Sequence, residues 1–311
     1  MSRSELLTVT ACAWTWLNIG DSMKKILVIS ATGLLSAIVG CGDVPDFGGG
    51  ASIVPRVTYV PAAPEASDSA TESAADLTET AVGTGSGVFT GKIVLTGSVN
   101  PLAALIQKGA TVKDMEVCAA VETPDERLVL GDGNTVQGVF VYLNKAPKGG
   151  KQLEIPADAF LFDQKNCRFL PHCMIIPCGQ LVKVLSADAV AHNTHTYPQK
   201  NPSVNSGVAP EDREGKLTFT YRKAESVPLS VKCDYHTWMT AYQLPIDHPY
   251  AAVTDENGQF TIPDLPTGKH SFILWHEAAD GGFVERKLAV EIKSGETTEM
   301  QIDYPVEKLK L

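Results

Sequence analysis

The chemistry of this chain gathers around one cysteine. Cys233 ends the alternating run Val227-Pro228-Leu229-Ser230-Val231-Lys232-Cys233, so it shares a strand face with Val227, Leu229 and Val231. Asp234-Tyr235-His236-Thr237-Trp238-Met239 follows, giving Cys-x-x-His-x-x-Met in a loop after a strand. Well upstream, His192-Asn193-Thr194-His195 comes after Leu185-Ser186-Ala187-Asp188. A soft thiolate, two imidazoles and a weak thioether form the ligand set of a blue-copper electron-transfer centre. In such a centre the thiolate supplies covalency, two histidines complete a trigonal plane, and a methionine is the long axial ligand. The cofactor expected is one type 1 copper ion. A filled shell of four ligands leaves no open position for a substrate, so the chain is read as an electron-transfer protein and not as an enzyme. His195 falls three residues past His192, on the opposite strand face, and is read as surface or structural. His172 is read as packing or a hydrogen-bond donor, and His248, His270 and His276 lie outside the motif. Trp238 is either a core ring or a cap on the copper edge where a redox partner docks.

The elements that must position these residues are strands. Short alternating or apolar runs recur at Val88 to Leu95, Val136 to Leu143, Leu181 to Leu185, Leu217 to Tyr221, Leu229 to Cys233, Phe260 to Ile262, Ser271 to Trp275 and Leu288 to Ile292. Turn chemistry separates them, as in Gly131-Asp132-Gly133-Asn134, Glu256-Asn257-Gly258 and Pro266-Thr267-Gly268. No long stretch keeps a helical period, and only Leu102 to Gln107 reads as a short helix. The class is all-β, of the sandwich kind.

The segment from about Phe160 to Ile246 resembles the cupredoxins, the amicyanin/plastocyanin-like blue-copper domains. The Cys233/His236/Met239 spacing is that of the short-loop amicyanin type, and His192-Asn193 matches the family's remote histidine and the asparagine after it. The resemblance implies a Greek-key sandwich, His192, Cys233, His236 and Met239 as copper ligands, and Asn193 as a clamp on the cysteine loop. It also implies that electrons cross an exposed edge of His236. Thr237-Trp238 departs from the small or proline residues usual beside the second histidine, and Asp234 and Tyr235 place an acid and a ring beside the thiolate. A second resemblance flanks the first. Gly87-Val88-Phe89-Thr90-Gly91-Lys92-Ile93-Val94-Leu95 and Gly138-Val139-Phe140-Val141-Tyr142-Leu143 resemble the opening strands of the transthyretin-like (carboxypeptidase regulatory-like) sandwich. Ala252 to Ile262 and Leu265-Pro266-Thr267-Gly268-Lys269-His270 resemble its closing half. The expected domains are therefore a transthyretin-like sandwich over 86–150 plus 247–311, and a cupredoxin-like domain over 151–246 inserted in it. Two sequential sandwiches are the competing arrangement.

Met23-Lys24-Lys25, then fifteen uncharged residues from Ile26 to Gly40, then Cys41, describe a secretory signal over 1–40, with Met23 a candidate true start. The run is short for a membrane span, which takes about 20 residues. Ile38-Val39-Gly40-Cys41 resembles the bacterial lipobox, which implies a lipid on Cys41. Residues 41–85, dense in Ala, Ser, Thr, Pro, Glu and Gly, read as a disordered tether with a reach of roughly 35–40 Å. Cys118, Cys167, Cys173, Cys178 and Cys233 remain after Cys41 and the leader. Five is odd, so an oxidising compartment leaves at least one thiol unpaired in a monomer. Cys173 and Cys178 on one extended strand would be about 16 Å apart, beyond disulfide reach, whereas a bend at Pro177 would remove that objection. Four cysteines pair in three ways, and Cys118 with Cys167 is the bridge expected here.

The net charge of −10 and the lack of a basic stripe exclude a nucleic-acid partner. An acidic surface can instead steer a basic redox partner such as a cytochrome or a periplasmic dehydrogenase. The reading is a membrane-anchored, extracytoplasmic lipoprotein carrying single electrons in the periplasm or at the cell surface. The first rival is a copper-storing or metal-free surface module. The second, a multicopper oxidase or nitrite reductase, needs a further His-rich site, and the sequence has no His-x-His cluster.

Overall fold

The computed structural model describes residues 85–311. The signal segment 1–40, Cys41 and the tether up to residue 84 lie outside the described residues. Among the described residues no helix is long and apolar enough to cross a membrane.

The fold is all-β. In chain order the strands are β1 (Ser86–Thr96), β2 (Phe140–Leu143), β3 (Phe160–Gln164), β4 (Phe169–Leu170), β5 (Cys173–Pro177), β6 (Leu181–Val184), β7 (His192–Thr196) and β8 (Asn205–Val208). They continue as β9 (Thr218–Thr220), β10 (Leu229–Lys232), β11 (Thr240–Ile246), β12 (Ala251–Val253), β13 (Gln259–Pro266), β14 (Gly268–Trp275), β15 (Phe283–Ile292) and β16 (Thr297–Pro305). One short helix, α1 (Met115–Cys118), lies between β1 and β2. The sheets β13-β1-β16 and β12-β2-β14-β15 draw on both ends of the described chain. The sheets β5-β11-β10-β7-β8 and β4-β3-β6-β9 draw only on the stretch between β2 and β12.

Alternation explains the pairing. In β1 every second residue from Gly87 to Leu95 is buried, which puts Phe89 and Ile93 into a core with Val141, Phe272, Leu274 and Tyr304. Gly91 falls on that inward face because a Cβ there would lie 2.5 Å from the Met300 carbonyl oxygen and 2.9 Å from the Phe260 ring. All four residues of β2 are buried, because its two faces meet different cores. Val141 and Leu143 join the core of β1, while Phe140 and Tyr142 pack with Leu244, Ile246 and Trp275. A third core holds Phe162, Phe169, Val182, Val231, Cys233 and Met239. Val112, Val117 and Cys118, from the long connection between β1 and β2, pack into this third core.

Leu102 to Gln107 is not helical. Ile106 instead forms an isolated bridge with Thr123, giving and receiving backbone hydrogen bonds. A six-residue segment is far below the length at which a helix is stable alone, so long-range pairing prevails.

His172, just before β5, donates from Nε2 to the buried carboxylate of Glu277. Burial pushes the His172 pKa down, but the hydrogen bond and charge of Glu277 outweigh it and the net shift is upward. The pair's contribution is therefore fully present below the ordinary histidine value of about 6.5 and is lost as pH rises through the raised value. Glu277→Gln should cost about 1–3 kcal/mol on the acidic side of that window. It should also flatten the fall of thermal midpoint with pH above it, as read by melts across a pH series.

Candidate metal centre

The β7, β10 and β11 neighbourhood assembles the site. β10 and β11 are adjacent and antiparallel, so Cys233 to Met239 is the loop joining them. The loop is closed by the Met239 N–H on the His236 carbonyl at 2.9 Å and the Cys233 N–H on the Met239 carbonyl at 3.3 Å. β7 runs antiparallel to β10 with His195 opposite Lys232, which carries His192 past the strand end and beside this loop.

His192, Cys233 and His236 are buried, and their ligand atoms lie within 4.8 Å of one another. His192 Nδ1 stands 3.0 Å from His236 Nδ1, and Cys233 Sγ stands 3.8 Å from His236 Nδ1. Nitrogen and sulfur ligands of one tetrahedral or trigonal ion are spaced about 3.2–3.5 Å (N to N) and about 3.5–3.8 Å (N to S). The N to S spacing falls at the upper end of its range and the N to N spacing about 0.2 Å short of its own, so a single ion needs only a small outward shift of the two rings. Met239 is fully buried in the same core as Cys233.

Each imidazole is fixed from behind. His192 Nε2 donates to Asp188 Oδ2 at 2.9 Å, and His236 Nε2 donates to Asp114 Oδ2 at 2.9 Å. With both Nε2 protons committed to carboxylates, two Nδ1 lone pairs face each other, and the gap accepts only a positive species, a shared proton or a metal ion. Burial raises the Cys233 pKa, but hydrogen bonding to His192, His236 and the Asn193 N–H prevails and brings it down to about 6. The ligand set is poised to hold a thiolate.

Asn193 serves the loop from the β7 side. Its N–H approaches Cys233 Sγ at 3.5 Å, and its Oδ1 accepts the Asp234 N–H at 2.5 Å. Its Nδ2 donates to Asn205 Oδ1 at 2.8 Å and Asp234 Oδ2 at 2.9 Å. His195 stays outside the cluster, half-buried, with Nδ1 near Asp234 and its ring stacked on Tyr197.

His236 has no exposed edge, contrary to the sequence expectation. The residue is fully buried, Asp114 covers Nε2, and the Trp238 ring centroid lies 5.2 Å from its own. The cause is the connection between β1 and β2. A disulfide joins Cys118 of α1 to Cys167, and the Lys113 ammonium lies 4.9 Å from the Tyr235 ring centroid, so Asp114 is held over the histidine between two attachments. Cys173, Cys178 and Cys233 are free.

Two functional residues escaped the sequence reading. Asp188 stands four residues before His192, a spacing that was there to be noticed. Asp114 is 122 residues from His236 and carries no local signal. Asp188 also accepts the N–H groups of Asn166 at 2.6 Å and Cys167 at 2.8 Å. Asp188→Asn should weaken copper binding by about 10–100-fold, because the imidazole loses its fixed tautomer and ring orientation. Competition with a copper chelator measures this directly.

No protein-family model matches the chain, and no curated protein matches it. Among solved structures it is similar to amicyanin from Paracoccus versutus, at 15% identity over 34% of this chain and 97% of amicyanin, with a TM-score of 0.23. A novel purple cupredoxin from Nitrosopumilus maritimus is 19% identical over 29% of this chain and 100% of that one, with a TM-score of 0.24. The Cu-containing nitrite reductase NirK from Thermus scotoductus SA-01 is 14% identical over 31% of this chain, with a TM-score of 0.26. The match spans 25% of that enzyme. These structural neighbours are cupredoxins, and the likeness covers about a third of this chain.

Proposed function

We propose that the chain binds one type 1 copper ion, which His192, Cys233, His236 and Met239 would hold, and that it carries single electrons. The observation that carries the reading is the pair of Nδ1 atoms 3.0 Å apart, one of them 3.8 Å from the buried Cys233 sulfur. Bound there, copper would supply one-electron chemistry by cycling between Cu(I) and Cu(II). The protein's part is to hold the ligands still: Asp188 and Asp114 fix the two rings, and Asn193 fixes the loop. A rigid, buried shell keeps the ligand positions alike in both oxidation states and excludes water. The shell is complete without a substrate, so the chain acts as a carrier and not as an enzyme. In this reading a lipid on Cys41 anchors the chain outside the cytoplasm, and a cytochrome or a periplasmic dehydrogenase exchanges electrons with it.

Copper storage is the second reading, favoured by the one fact that His236 is covered. Repeated chemical reduction and oxidation of the copper-loaded chain, with metal content read after each cycle, separates the two. A carrier keeps its ion through every cycle, whereas loss of copper on reduction would move the function to storage or delivery.

A further inference from the structure

The Cys118–Cys167 disulfide does more than close a loop. One ligand atom each from Cys118, Cys167 and His236 lie within 4.8 Å of one another, and all three residues are fully buried. Cys167 also stands within 4.8 Å of ligand atoms of Asp188 and His192. Both sulfurs of the bridge thus lie near His236, the histidine whose Nδ1 also faces Cys233.

We propose that Cys118 and Cys167, once reduced, form with His236 a second metal site, which takes Cu(I). Two thiolates and an imidazole are a soft set, and soft thiolates select Cu(I) over harder ions. The reductant is a dithiol. Its thiolate attacks one sulfur of the bridge, forming a mixed disulfide and releasing the other sulfur as a thiolate that takes up a proton. The second thiol of the reductant then attacks the mixed disulfide. The reductant leaves as a disulfide, and Cys118 and Cys167 remain as two thiols. Cu(I) binding releases their protons to solvent. Cys118 ends α1, whose Met115 and Glu116 are exposed. His236 belongs to both ligand sets, so an ion held by the dithiol lies one ligand exchange from Cys233. The inference stands independently of the electron-carrier reading, since it concerns the dithiol and His236 alone.

The test uses the full chain with Cys233→Ser, which silences the first ligand set. Cu(I) is titrated anaerobically against a competing chelator, before and after reduction with a phosphine. Reduction should add one tightly held Cu(I) per chain. That ion should vanish when Cys118→Ser and Cys167→Ser are added and should survive Cys173→Ser with Cys178→Ser. Equal binding before and after reduction overturns the proposal, as does an added ion that follows Cys173 and Cys178. Loss of the near-ultraviolet circular dichroism on reduction with Cu(I) present also overturns it, because the site needs α1 in place. A second measurement reads protection: in the reduced Cys233→Ser chain given one equivalent of Cu(I), alkylation of the Cys118 and Cys167 peptides, read by mass, should slow several-fold, and an unchanged rate counts against the site. Either failure leaves the visible band of the oxidised unsubstituted chain untouched, so this proposal and the electron-carrier reading fail separately.

Discussion

Replacing Cys118 and Cys167 together by alanine should lower the stability of the metal-free chain by about 4 kcal/mol, the chain-entropy value for a loop of this length. The two cysteines are 49 residues apart, and the loop they close contains β2 and β3. Denaturant unfolding of both proteins measures the difference. The substitution has a second consequence at the site. Asp114 stands four residues before Cys118, so without the bridge it is held by its own hydrogen bond, the contact of Lys113 with Tyr235 and the packing of Val112 and Val117. The covered edge of His236 should open, and electron exchange with a small soluble oxidant should accelerate in the copper-loaded variant. Unchanged stability together with an unchanged exchange rate would mean that the bridge neither closes the loop nor covers the ring.

Asn193→Ala should cost about 1–3 kcal/mol, the loss of a buried amide's hydrogen bonds to the exposed residues Asp234, which is charged, and Asn205. Asn193 is buried, and its amide gives and receives three hydrogen bonds that tie β7 to β8 and to the Cys233 loop. Alanine leaves the Asp234 N–H without its acceptor and frees the Asp234 carboxylate to pair only with His195 and Asn205. Cys233 should then lose its fixed position, so the copper-loaded variant should show a weaker and broader thiolate band as well as a lower thermal midpoint. Asn193→Asp keeps the acceptor but sets a second carboxylate against Asp234, and should disturb the loop at least as much as alanine does. A full-intensity band in the alanine variant would mean that the loop is held by its own backbone bonds alone.

Much of the ligand set is legible because its determinants are local. Cys233, His236 and Met239 lie within one loop, and strand alternation alone turns Cys233 inward with Leu229 and Val231. The His192-Asn193 pair is equally short-range. What surrounds the ligands is not local. Asp114 reaches His236 from a connection with no regular structure apart from α1, and no periodicity announces that contact. The covered edge of His236 follows from the same contact, which is why an expectation drawn from resemblance to shorter proteins fails there. In the fold, β1 reads clearly from its alternation. β16 was equally readable, since Met300, Ile302 and Tyr304 alternate with polar residues, and it pairs in parallel with β1. β8 carries little apolar signal, because it is short and lies at a sheet edge, whereas β9 falls within the expected run Leu217 to Tyr221. Leu102 to Gln107 misleads because helix-favouring residues there are recruited by Thr123.

The central claim is that His192, Cys233 and His236 hold copper as one thiolate-bound centre. It is tested most directly by titrating the chain with Cu(II), recording visible absorbance and electron paramagnetic resonance, with Cys233→Ser beside it. The account predicts an intense thiolate-to-copper band that saturates at one ion per chain, disappears with reductant, returns on oxidation, and is absent from the Cys233→Ser chain. Copper that binds without that band, or equally well to the serine variant, would contradict it.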